Sequence, residues 1–142
     1  MSTDPSIPPV PPESTPAAQP AVVPQVEDKT VAIIAYLTFV GFIVALILNN
    51  GPKKNALGQF HLRQALGLLI LHLGGMIAFV ILALIFHRGF FGLIVDIASK
   101  GYFIGLLVLF ILGLVDAING RRKPIPVVGE FIQQKLAGAF AS

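Results

Sequence analysis

The chain reads as an all-α membrane protein with three transmembrane helices, one short interfacial or re-entrant helix and a C-terminal amphipathic helix. Three observations predict this. Hydrophobic residues fill 55% of the 142 positions and charged residues only 12%, against the ~25% charged that a soluble domain carries. The apolar residues gather in runs long enough to cross a hydrocarbon core. Nearly all lysine and arginine falls between those runs.

Residues 1–28 contain eight prolines among Ser, Thr, Ala and Gln. Proline fixes φ and removes backbone donors, so this stretch is expected to be a disordered, proline-rich arm. It lacks the basic and apolar regions of a secretory signal, so targeting is expected to rest on the first span. The helical transmembrane domain is then expected over 30–136. Its first span, 31–49, is uncharged and is stopped by Asn50, Gly51 and Pro52. The second, 60–86, opens with Phe60-His-Leu-Arg-Gln-Ala-Leu66. The third, 102–119, ends before Gly120 and Arg121-Arg122-Lys123. Between them, residues 89–100 are apolar but interrupted, and a helix of this length reaches only ~16 Å, which reads as an interfacial or re-entrant helix. After the third span, Pro124-Ile-Pro126 forms a stiff elbow into an amphipathic stretch, with Val128, Phe131, Ile132 and Leu136 on its apolar face, expected on the membrane surface.

Lysine and arginine set orientation. With three spans, Lys53, Lys54, Arg63, Arg121, Arg122, Lys123 and Lys135 share one side against Lys29, Arg88 and Lys100 on the other. The heavier side, and with it the C-terminus, is expected in the cytoplasm, and the proline-rich arm outside. The expected location is the bacterial cytoplasmic (inner) membrane.

The same topology brings a polar cluster to one depth. His61, Arg63 and Gln64 open the second span where Asp116 and Asn119 close the third, so Arg63 or His61 is expected to pair with Asp116. His72 lies deeper on the face of His61; a neutral imidazole bonded to a neighbouring helix is preferred there to a proton or cation relay. The two histidines are separated by ~16 Å along the axis, too far for one metal ion. His87, Asp96 and Ser99 hold the residue types of a hydrolase triad, but neither their spacing nor a nucleophile elbow supports one. Cysteine is absent, which removes thiol catalysis and disulfides. Gly101 and Gly105, with Gly67, Gly74 and Ala78 on the second span, read as helix-packing faces. The Arg121-Arg122-Lys123 cluster reads as an anchor on anionic lipid and not as a nucleic-acid site.

Ala32-Ile-Ile-Ala-Tyr-Leu37, Phe60-His-Leu-Arg-Gln-Ala-Leu66, Ala117-Ile-Asn-Gly120 and Pro124-Ile-Pro-Val-Val-Gly129 together resemble small bacterial membrane proteins related to the twenty-kilodalton subunit of the chloroplast inner-envelope import translocon. The likeness covers about residues 30–135. It implies a component of a protein-import channel, or a bacterial counterpart without enzymatic activity. The chain departs from that family's four-span pattern at residues 89–100.

The expected function is therefore a non-catalytic structural or assembly component of a membrane, with no cofactor, no metal and no catalytic residues. Its expected partners are the lipid bilayer, itself or other membrane proteins, and not nucleic acid. The alternative is an oligomeric channel or transporter with the polar cluster His61, Gln64, His72 and Asp116 along its pathway; an intramembrane enzyme comes third.

Overall fold

The structure is a computed structural model describing residues 28–140. The predicted disordered arm lies outside the described residues apart from Asp28. Five helices follow in order, and the described residues contain no strand: α1 (Thr30–Ile34), α2 (Phe39–Asn49), α3 (Ala56–Ile85), α4 (Gly89–Ile118) and α5 (Gly129–Lys135).

Two helices, α3 and α4, are long and apolar enough to cross a membrane. Each has 30 residues, a length of ~45 Å. Their most apolar windows are only 6% and 11% buried, so neither is the core helix of a soluble protein, and their outward Leu, Ile, Val and Phe side chains need an apolar medium. They form a hairpin. Its tip is made by Gly89, at φ 73°, and by Gly92, where a Cβ would stand 2.6 Å from the Phe86 carbonyl oxygen.

The interfacial helix expected at 89–100 is the opening stretch of α4, continuous with the expected third span. The polar residues that suggested a break are satisfied inside the helix. Ser99 Oγ donates to the Asp96 carbonyl at 2.8 Å, and Lys100 Nζ closes an ion pair with Asp96 at 2.7 Å. Neither proline nor a capping residue interrupts the run, so the helix continues.

The expected first span is broken in the opposite sense. Residues 35–38 leave the helix, Thr38 takes an extended conformation (φ −159°), and its hydroxyl accepts from Gly41 N–H at 2.9 Å, capping a new helix. At 11 residues, α2 spans ~16 Å, about half a hydrocarbon core. The segment doubles back. Asp28, at its start, lies 3.4 Å from Lys53 just after its end, and the Asp28 carbonyl accepts from Asn55, the N-cap of α3, at 2.8 Å. Gly41 lets the two arms meet, since a Cβ there would stand 2.6 Å from the Ile34 carbonyl oxygen.

Residue 28 thus lies at the same end of the hairpin as residues 53–58 and 118–120, where Lys29 Nζ donates to the Ile118 carbonyl at 3.0 Å. The expected placement of Lys29 across the membrane from Lys53 and Arg121 is therefore corrected, while the arm before Asp28 lies outside the described residues. The core gathers at this end too. Val31, Ala32, Tyr36, Leu57, Leu62, Ala117, Ile125 and Ile132 are buried, while α3 and α4 beyond Ile70 turn most of their large side chains outward. The surface helix predicted after α4 packs instead on α3: Ile132 fills the notch at Gly67, Gln133 donates to the Phe60 carbonyl at 2.9 Å, and Phe131 alone of its apolar face stays exposed.

Candidate functional site

The start of α3 carries a ring of buried polar atoms. His61 and Gln64 are one turn apart on the face that meets the 35–38 turn and the loop after α4, and both are fully buried. Tyr36 completes the set, because the break in the first apolar run turns its side chain against α3 and α4. The ring stands edge-on to His61 (5.8 Å) and to Phe110 (5.4 Å), over Gly113, where a Cβ would lie 2.8 Å from the hydroxyl.

The hydrogen bonds fix each group's role. The Arg121 carbonyl, 2.9 Å from His61 Nε2, can only accept, so Nε2 carries the proton. Nδ1 is then the acceptor for the Tyr36 hydroxyl at 3.3 Å, and that hydroxyl in turn accepts from Gln64 Nε2 at 3.1 Å. Gln64 Oε1 accepts from the Ile125 N–H at 3.3 Å. Each of these four bonds joins a donor to an acceptor when the imidazole is neutral. The knot ties the re-entrant turn, the base of α3 and the loop after α4 to one another, across sequence separations of 25 to 61 residues.

The predicted cluster divides on this geometry. His61 and Gln64 come together. Arg63 faces away and donates from Nε to the Ala139 carbonyl at 2.9 Å, holding the C-terminal segment. Asp116 approaches Arg121 at 3.9 Å, so the expected pairing with Arg63 or His61 is replaced by one within the C-terminal end of α4. The reason is local: Arg121 follows the helix end, where its backbone N–H bonds the Asp116 carbonyl at 2.8 Å. Asn119 donates to the Val115 carbonyl at 2.8 Å and is exposed, a helix-end contact outside the knot. His72 stands apart, its ring edge on Phe103 at 5.3 Å, with no hydrogen-bond partner for its nitrogens among the described residues. His87, Asp96 and Ser99 line one groove near the hairpin tip, but Asp96 and Ser99 are committed to the contacts within α4. Among the described residues no three His, Asp or Glu side chains gather as a metal group.

Two glycine expectations also change. Cβ atoms at Gly74, Gly101 and Gly105 would meet nothing within 4 Å, whereas Gly58, Gly67, Gly75 and Gly113 hold Val31, Ile132, Tyr102 and Tyr36 in close contact. Tyr36 was the member of the knot not singled out from sequence. An isolated tyrosine inside an apolar run is its signal, because a buried hydroxyl needs a partner.

Residues 27–132 match the family model MamF/MmsF, described as the magnetosome magnetite crystal formation protein family. This overturns the resemblance to the chloroplast import translocon and the import role that came with it. Comparison with curated proteins and with solved structures gave no match.

Proposed function

Because the chain belongs to the magnetosome magnetite crystal formation family, we propose that it is a non-catalytic integral membrane component that organises the membrane site at which magnetite forms. The observation that carries this reading is the use made of the buried polar groups. Tyr36, His61 and Gln64 spend their hydrogen bonds on one another and on the backbone at Arg121 and Ile125, which leaves the α3–α4 hairpin as an apolar surface for lipid and for neighbouring membrane proteins. Residues 30–136 act as the membrane unit and residues 1–28 as a tether. Eight of the ten lysines and arginines, all but Arg88 and Lys100, lie at or beyond the knot end; by the positive-inside rule that end, with the C-terminus, faces the cytoplasm from the bacterial cytoplasmic membrane or a compartment derived from it.

The channel alternative draws less support. Its pathway would need His61 and Gln64 to face water, yet both are fully buried and paired, and His72 faces an apolar groove. The test is made in a magnetite-forming bacterium that carries this gene. Deleting it is expected to change the number, size or shape of the crystals seen by electron microscopy, with wild type restoring them. Crystals unchanged by the deletion would overturn the proposal.

A further inference from the structure

One groove borders the knot only at Tyr36. It lies between the 35–38 turn, the start of α2 and the middle of α3 and α4, with a volume of about 420 Å³, inside the ~300–1,000 Å³ range of small-molecule sites. Its walls are rich in rings, from Tyr36, Phe39, Phe42, Phe103 and Phe110. No charged side chain lines it. Two polar groups on its wall have capacity to spare: His72, whose nitrogens are unpartnered among the described residues, and Thr38, whose hydroxyl oxygen accepts from Gly41 N–H and whose hydrogen remains free to donate.

We infer that this groove binds the ring of a lipid-soluble quinone, with a carbonyl oxygen accepting from His72 and the ring held against the aromatic walls. Three features select that occupant. A bilayer acyl chain would fill the apolar volume but leave an imidazole without a partner in hydrocarbon, where polar groups are costly. A phosphate or carboxylate would find no cation there. A quinone presents two carbonyl acceptors on a flat ring, suits edge and offset contacts with phenylalanine, and its apolar tail can leave through the open side into the bilayer. The site depends on the hairpin lying in a membrane and not on a role in magnetite formation.

The test uses the full chain, purified in detergent and freed of native lipid-soluble quinones. A photoreactive quinone analogue with a ten-carbon tail is expected to label segments 36–42 or 103–110, and decylubiquinone is expected to displace it. A decyl-substituted benzene without carbonyls is not. His72→Leu should weaken displacement by about tenfold, as the loss of one hydrogen bond at a dry site does, and His72→Gln, which keeps a donor, should recover part of it. His72 is exposed at the groove, so these variants are expected to melt as wild type does. His87→Leu, at the hairpin tip, should bind normally. Equal displacement by the decylbenzene, or no effect of His72→Leu, would overturn the inference in favour of an acyl-chain bed. So would cross-linking between copies through Phe39→Cys that blocks labelling, since a second copy would then occupy the groove. Binding is read on purified protein, so its failure is separate from any result on crystals in cells.

Discussion

Gln64 joins three parts of the chain through one side chain. Its amide donates to Tyr36 and accepts from the Ile125 N–H, and no water can replace either contact at a fully buried position. Gln64→Ala should therefore cost about 1–3 kcal/mol, the price of stranding a buried donor and acceptor, read as a lower midpoint of thermal unfolding in detergent. An unchanged midpoint would mean that the knot does not hold the fold. His61 works in the same network, so its substitution should not add fully to that of Gln64.

Asp28 gives a pH dependence of known sign. Thr30 donates its hydroxyl and its backbone N–H to the carboxylate, and these bonds, helped by the charge of Lys53 at 3.4 Å, hold Asp28 below its ordinary value of 3.8. Its folded-state pKa is lower than its unfolded one. The stabilisation is thus present above the unfolded value of about 4 and is lost as the pH falls through the folded value. Asp28→Asn should melt below wild type at pH 7, with the gap closing under about pH 4. A gap that persists in acid would point to a contact other than the carboxylate's charge.

At the scale of elements, α3 and α4 meet through neighbouring glycines with opposite roles. A Cβ at Gly75 would lie 2.2 Å from the Tyr102 ring, whereas Gly74 faces open space. Gly75→Ala should displace Tyr102 from the Leu71 carbonyl it reaches at 2.8 Å and destabilise the hairpin by about 1–3 kcal/mol. Gly74→Ala should not, in the same melting experiment; equal effects would show that the Tyr102 notch is not a packing contact.

Helices of the right apolar texture were legible in the sequence, and so was the opening of α3 at a polar motif. Element ends were harder, for a definite reason. The break at 35–38 carries no proline or glycine. It is made by Thr38 capping α2 and by Tyr36 reaching partners 25 and 28 residues away, and local patterning does not contain those partners. The join at 99–101 failed in reverse, because Ser99, Lys100 and Gly101 look like a stop until Ser99 and Lys100 are seen to bond back to Asp96. Within the candidate site, helical spacing brought His61 and Gln64 to one face. Arg63, Asp116 and Asn119 share only an approximate depth with them and His72 only a helix face, and neither depth nor face alone selects partners.

Across the whole molecule, burial is uneven. The knot end is packed and hydrogen-bonded, whereas the far part of the hairpin presents apolar side chains outward. That division suits a protein anchored at one membrane face and exposed to lipid over the rest of its height. The way the first segment doubles back is what makes the division possible: it returns Asp28 to Lys53 and Asn55 at the knot end and leaves α3 and α4 as the two helices long and apolar enough to cross a membrane.

Sidedness tests this most directly, and a chain without native cysteine is suited to it. Single cysteines introduced as Ser14→Cys, Lys54→Cys, Arg88→Cys and Gly138→Cys would be labelled in sealed vesicles with a membrane-impermeant maleimide. The two-span account predicts that positions 14, 54 and 138 react from one face and position 88 from the other. Reaction of positions 14 and 54 from opposite faces would mean that the first apolar run crosses the membrane, and would contradict it.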